Sequence, residues 1–501
     1  MTATLAEDRR LRRLFFALTL LYVLPFWAVR YVPTTDGPCH TYNAWVLRQH
    51  GNVREYPLFQ QYYEINAKPY PNWIGQGTMA LLMFALEPRT AEKLLVSGYV
   101  LLLLAGAWYL AGAVRPAERW LAFLAFPFAY NQLFQFGFYN FAISLALFLF
   151  IVGLWWRHRA RPGLAFAAAI NLLLWLCYFS HILSFALALI AIAVLWLATL
   201  RRESWRRHLL HILLLLPQVA LPAWFFAIQR GGEVPSAWPF GQLLRFFARL
   251  EVLFTFGEFQ VWLGIALAIL FLLLLLLTLW RRTRQRPLFR EEDAFLLLAL
   301  LFTAFYFFSP DGMAGGYLLK QRLSLYPFLL LIPWLSPRLE GRAKGSGAAA
   351  LALLALLNLG YLLHGYRVRG EEMARYVSGL DLVQPNTRLL ALLFQHSWPT
   401  DFLAHAAGYT ALEKGLIDWD NYEAKTSFFP TRFRDSAAFP DIPGILTDPG
   451  SLRVKLNRDR IDAVYTWGMP PDQPLARRLG KHYELTSWTG EGALYEKRRG
   501  L

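Results

Sequence analysis

Arg9-Arg10-Leu11-Arg12-Arg13 runs directly into Leu14-Phe-Phe-Ala-Leu-Thr-Leu-Leu-Tyr-Val-Leu-Pro-Phe-Trp-Ala-Val29. Arginines against an apolar run mark a membrane crossing entered from the cytoplasm, where loops carry an excess of Lys and Arg. A basic start also suits a signal peptide, but no small-x-small cleavage site follows, so the run reads as an uncleaved first span. The same texture repeats along the chain, at 91–113, 119–135, 138–156, 163–179, 182–200, 208–228, 260–280, 293–309, 323–336 and 347–365. Many of these blocks approach the roughly twenty residues that cross the hydrocarbon core as a helix. With the first block they predict about eleven spans.

Composition agrees with that reading. The 501 residues are 56% hydrophobic and 17% charged, whereas ordinary globular domains are about one-quarter charged. This excludes a soluble protein, a disordered chain and a disulfide scaffold. The two cysteines, Cys39 and Cys177, cannot build a multi-thiolate metal site and allow at most one disulfide. The formal charge of +16 sits in short clusters between apolar blocks: Arg157, Arg159 and Arg161; Arg201, Arg202, Arg206 and Arg207; Arg281, Arg282, Arg284, Arg286 and Arg290. That placement is topological and suits anionic headgroups, so the expected partners are membrane lipids and not nucleic acid.

Parity fixes the orientation. Trp73–Leu86 is a shorter apolar stretch, marginal for spanning. If it crossed, these basic clusters would all fall outside; if it does not, all fall inside, as the charge rule requires. Residues 31–90 are therefore expected to form one long outer loop, with 73–86 interfacial or re-entrant and both 1–366 and 367–501 acting as domains. The second, about 130 residues, is large enough for its own core. Thr387–Gln395 and Asp462–Trp467 read as buried strands, Ala404–Gly415 and Pro474–His482 as helices, and Gly490–Tyr495 as part of a closing hairpin. The expected fold is mainly α: a polytopic transmembrane helical bundle with a small C-terminal α/β outer domain. The N-terminus would be cytoplasmic and the C-terminal domain extracytoplasmic, and the short arginine-rich loops suit a bacterial inner membrane.

Walker loops, HExxH and CxxC are absent from the sequence, so chemistry is sought in polar residues at the outer face. The densest group is Tyr31-Val-Pro-Thr-Thr-Asp-Gly-Pro-Cys-His-Thr-Tyr-Asn43. Gly37-Pro38 starts a helix, with Pro suited to its first turn. His40 and Asn43 project from that helix. Asp36 either caps it or serves a wet outer site; one residue can do both.

One span, then an Asp opening a long outer loop with juxtamembrane helices, resembles the GT-C superfamily of multi-span glycosyltransferases, such as protein O-mannosyltransferases and lipid A aminoarabinose transferases. The resemblance covers the architecture of the whole chain and rests on this motif. It implies that Asp36 is the active-site residue, acting as base or acceptor ligand. Many family members carry a second acid in the next outer loop. Here that loop is Tyr130-Asn-Gln-Leu-Phe-Gln-Phe-Gly-Phe-Tyr-Asn140. Its amides bind sugar hydroxyls but accept no proton, which argues against a two-carboxylate mechanism and a divalent metal. Asn131 and Asn140 are candidate substrate ligands, and Asn140 is equally a helix cap.

The remaining candidates lie further along. His181, after Ser180, is either a packed interfacial residue or a phosphate ligand. The 229–259 loop combines Glu258 with arginines and aromatics. In Ser309-Pro-Asp-Gly-Met-Ala-Gly-Gly-Tyr-Leu-Leu-Lys-Gln-Arg-Leu323, Lys320 and Arg322 face outward against the charge bias and need a partner. That partner is the Asp311 carboxylate or a lipid phosphate, whose geometry suits Arg. The expected activity is transfer of a sugar from a polyprenyl-phosphate donor to a glycan, lipid or protein acceptor. A transporter or flippase, which would show structural repeats, and a non-catalytic relative are the rivals.

Overall fold

The computed structural model describes residues 2–201, 205–228, 232–284, 290–313, 315–442 and 447–498. Arg202 and Arg286 of the basic clusters, residues 229–231 and Ala314 lie outside the described residues. The chain is mainly helical and divides into two compact units. One comprises 1–24, 98–134 and 140–362; the other gathers 25–97, 135–139 and 363–501.

Among the described residues, four helices are long and apolar enough to cross a membrane: Pro88–Val114, Tyr139–His158, Glu258–Thr283 and Gly341–Ser378. The bent pair Leu209–Gln218 and Ala220–Ile228 raises this to five if it counts as one span. Leu164–Ser180 and Ile182–Ala198 are apolar but shorter. The structure therefore does not confirm eleven spans. The shortfall has local causes. The first apolar block is divided between helices Thr2–Leu21 and Leu24–Trp27. Residues 119–135 lie largely in a 3-10 helix, Pro116–Tyr130, with Pro127 inside it; Pro has no N–H to give to an α-helical bond. The 323–336 block holds only the short helix Leu325–Leu331, with Pro327 inside it.

Trp73–Leu82 is a ten-residue helix, about 15 Å long and too short to span. It buries Gly75, Gln76, Met79 and Ala80. This helix belongs to the second unit, where it packs on Gly37–Gln49.

The second unit is built on a five-stranded sheet in the order Ile417–Asp418, Arg388–Leu393, Ala463–Trp467, Gly492–Lys497, Tyr483–Trp488. The first three strands are parallel, and the last two add antiparallel as the closing hairpin. Arg388–Leu393 buries Leu389 to Leu393 on both faces, as central parallel strands do. Helices Ala407–Lys414 and Pro474–Leu479 occupy the segments expected to be helical. Strand Tyr63–Ile65, from the 31–90 segment, pairs antiparallel with Thr431–Phe433. Tyr31, Tyr42, Phe59 and Tyr63 of that segment share one core with Leu390, Trp419, Phe433 and Tyr465.

Arg388 ties two sheet strands together at their start. Its Nε and Nη2 donate to Asp462 Oδ2 and Oδ1 at 2.8 and 2.6 Å, and its backbone N–H also reaches Oδ2. Burial alone would raise the Asp462 pKa, but these bonds and the Arg388 charge hold it below the usual range. A depressed carboxylate stabilises the fold above its unfolded pKa, and the contribution is lost as pH falls through the folded value. Asp462→Asn should therefore cost about 1–2 kcal/mol near neutral pH, after discounting for solvent screening. It should also flatten the loss of thermal stability below about pH 4. A melting series whose acid slope matches the wild type would remove this pair as a source of that slope.

Candidate functional site

Asp36 leads helix Gly37–Gln49. Its backbone is held by the short segment Gln135–Tyr139: Thr35 and Asp36 N–H groups donate to the carbonyls of Gln135 and Phe136. Gly137 permits this approach. Its φ is +86°, and a Cβ there would meet the Asp36 and Gly37 nitrogens at 2.7 Å. The Asp36 side chain makes no cap hydrogen bond. Capping, one of the two roles open from sequence, is not what the carboxylate does.

The carboxylate turns instead toward the loop Asp418-Trp-Asp-Asn-Tyr-Glu423, which leaves the carboxyl end of strand Ile417–Asp418. Tyr422 OH donates to Asp36 Oδ2 at 2.7 Å. His405 Nε2 lies 3.7 Å from Asp36 Oδ1, and His405 Nδ1 is held by Asp420 Oδ2 at 2.8 Å. Asp36 is only 6% exposed. Burial pushes its pKa up to about 6, opposed by the charges of His405 and His40 and the Tyr422 bond. Burial would depress His405, but the Asp420 carboxylate, its hydrogen bond and Asp36 raise it to about 9. Burial and the neighbouring Asp420 raise Asp418 to about 7.

His40 and Asn43 converge on Glu423. His40 Nδ1 sits 2.6 Å from Glu423 Oε1, off hydrogen-bond alignment, so the contact is electrostatic. Burial would lower His40, but the Glu423 charge raises it above its ordinary value. Asn43 Nδ2 donates to Glu423 Oε2 at 2.8 Å and exchanges amide hydrogen bonds with Asn421. Gln76 from Trp73–Leu82 donates to the same Oε2 at 2.6 Å. Close by, Glu92 accepts from Tyr139 OH at 2.8 Å and Tyr409 OH at 2.7 Å. Gly37 is needed here, because a Cβ would lie 2.2 Å from Thr34 Oγ1 and 2.3 Å from Tyr139 OH.

The structure thus brings together Asp36, His40 and Asn43. Asn131, Asn140, His181, Glu258, Lys320 and Arg322 belong to the other unit. There, Asn131 Oδ1 accepts from Phe134 N and its amide donates to the Phe128 carbonyl, a local turn role. Asn140 is buried as the second residue of Tyr139–His158, inside the helix and not before it. His181 caps Ile182–Ala198, its Nδ1 accepting from Leu183 N at 3.2 Å. Glu258 begins Glu258–Thr283 in an exposed position, where a carboxylate suits the helix dipole. Buried Lys320 donates to the Tyr306 and Phe307 carbonyls at 3.2 and 3.1 Å. Asp311 does not bond to it, accepting instead from Ala237 N. Arg322 lies over the Phe141 ring, 5.6 Å from its centroid.

Sequence reasoning missed Glu92, His405, Tyr409, Asp418, Asp420, Tyr422 and Glu423. The available signal was the density of Asp and Glu directly after a buried strand, since ligand sites in parallel sheets lie outside the carboxyl ends of strands. Cys39 and Cys177 are buried free thiols. Among the described residues, no three His, Cys, Asp or Glu side chains are placed to hold a metal ion. No protein-family model matches the chain, and no curated protein matches it.

A raised carboxylate opposes folding when ionised. Its contribution is complete below the unfolded pKa, near 4, and is lost as pH rises through about 6. Asp36→Asn mimics the protonated state. Its melting midpoint at neutral pH should equal or exceed the wild type, with the change between pH 4 and 6 reduced. Loss of a cap would instead cost about 1 kcal/mol at neutral pH, and a drop of that size would contradict the assignment.

Proposed function

We propose that the chain is an integral-membrane glycosyltransferase of GT-C type, acting at the outer face of a bacterial inner membrane. In this reading the shorter apolar elements complete about eleven spans, with the N-terminus cytoplasmic and the C-terminal segment outside. The donor is a polyprenyl-phosphate sugar and the acceptor a hydroxyl of a glycan, lipid or protein. The observation that supports it is the Asp36 carboxylate, buried, raised to about 6 and set beside a charged histidine. A base with that pKa is ionised at neutral pH yet basic enough to accept a proton.

In the reaction, the acceptor oxygen attacks the sugar C1 and gives its proton to Asp36. The C1–O bond to the phosphate breaks with inversion, and the polyprenyl phosphate leaves with the electron pair. The departing phosphate carries negative charge that a cation or hydrogen-bond donor beside it would stabilise. Lys320, bonded to two carbonyls, is assigned a structural role. His405, oriented by Asp420, keeps Asp36 ionised between turnovers. Tyr422 OH marks where the acceptor hydroxyl would sit on Asp36 Oδ2.

The test is turnover of a polyprenyl-phosphate sugar in proteoliposomes. Asp36→Asn should lose about 10²-fold or more while keeping its melting midpoint. Wild-type kcat/KM should fall as pH drops below about 6. Tyr422→Phe should retain activity, because the acceptor replaces its hydroxyl. Normal turnover in a folded Asp36→Asn protein would leave the cluster as an inert polar network, the non-catalytic alternative.

Sidedness is checked separately by cysteine labelling at Ser397 and Ser436 in intact spheroplasts. Labelling without permeabilisation is expected. Labelling only after the inner membrane is opened would remove the outer-face assignment.

A further inference from the structure

A separate cavity of about 150 Å³ lies in the unit that contains 1–24, 98–134 and 140–362. Arg9, Arg12, Arg119 and Lys344 line it, with Trp108 and Trp120 among its walls. Asp8 is the lone acid of the lining, and it is engaged by Lys344 at 2.8 Å. Among the described residues, Arg9, Arg12 and Arg119 make no ion pair. Glu118, beside Arg119 in sequence, is already used: it accepts from Trp120 Nε1 at 3.0 Å and from Arg338 N at 2.7 Å.

Arg119 is the most constrained of these cations. Its guanidinium lies against the backbone at Gly112, where a Cβ would come within 2.0 Å of Nε. It also sits 5.6 Å from the Trp108 ring centroid. Its Nε is buried and has no hydrogen-bond partner. A buried guanidinium donor without an acceptor is expensive, and like charges gathered around one cavity repel. A bound anion removes both penalties. Arg forks match phosphate oxygens, Trp residues favour the headgroup level of a bilayer, and the volume admits a phosphate with the first atoms of its ester arm.

We infer that this cavity binds a phosphate group, delivered by an anionic phospholipid headgroup. The inference is independent of Asp36 and of the transferase reading. It differs from general attraction of basic loops to a charged leaflet, because it requires one retained ligand that depends on named side chains.

Native mass spectrometry of the full chain in detergent tests it, with phosphatidylglycerol, diacylglycerol and inorganic phosphate as probes. The wild type should retain one phosphatidylglycerol in preference to diacylglycerol, which lacks the phosphate. Arg119→Gln should weaken retention about tenfold, the effect of losing one charge-assisted hydrogen bond. Lys344→Gln should weaken it several-fold, and it carries the test if Arg119→Gln fails to fold. Arg284→Gln, which does not line the cavity, should match the wild type. If inorganic phosphate binds without lipid and needs Arg119, the phosphate site stands and its source is free phosphate. Equal retention of phosphatidylglycerol and diacylglycerol, or retention unaffected by Arg119→Gln and Lys344→Gln, would overturn the inference.

Discussion

Removing the Asp36 carboxylate from water is the constraint around which its unit is organised. An ionised carboxylate buried without partners is opposed by several kcal/mol. Here it is set among Tyr422, His405 and, through His405, Asp420. The same requirement recurs at Glu423, which draws His40, Asn43 and Gln76, and at Glu92, which draws Tyr139 and Tyr409. Each set joins segments far apart in sequence. Slipping one segment would leave a buried charge unmatched, so the network fixes the mutual placement of Gly37–Gln49, Trp73–Leu82, Ala407–Lys414 and the 418–425 loop. Apolar packing in the shared core supplies attraction but far less register.

How legible this was depends on range. The helix after Gly37-Pro38, the strands near 388 and 463, and the closing hairpin are encoded by neighbours in the chain, and they formed where local patterns placed them. Asp36, His40 and Asn43 were readable as one polar group because helical spacing puts them together. Their partners were not, because Glu423 and His405 lie more than 360 residues away and nothing local announces the contact. The segment Tyr130 to Asn140 does lack an acid, as its sequence says. It holds Asp36 by its backbone, through the Gln135 and Phe136 carbonyls and the left-handed Gly137, and it sends the Tyr139 hydroxyl to Glu92. The carboxylates around Asp36 come instead from the C-terminal segment.

Apolar blocks outnumber the long apolar helices for a related reason. Hydropathy measures what a segment prefers to avoid, not whether its backbone remains one helix. Residues 119–135 are as apolar as a span, yet Pro116 and Pro127 belong to a buried 3-10 element. Phe123, Phe126 and Phe128 are fully or almost fully buried there, and Phe15 packs against Phe123 and Phe126. Such a segment satisfies its apolar preference with protein neighbours. Leu325–Leu331 does the same, with Phe328 against Phe271 and Tyr326 against Phe148.

Cations at apolar depth separate by chemistry as well as by position. A lysine ammonium is a compact charge with rotatable donors, and Lys320 satisfies it with two carbonyls at the end of helix Ala294–Phe308, where the helix dipole is negative. A guanidinium is a planar fork that two neighbouring carbonyls seldom fill. Arg119 accordingly packs one face against Trp108 and keeps a buried N–H without an acceptor. The charge bias that orients a membrane protein thus says where cations lie. Whether a cation is a structural strut or a ligand site depends on whether the backbone has already supplied its acceptors.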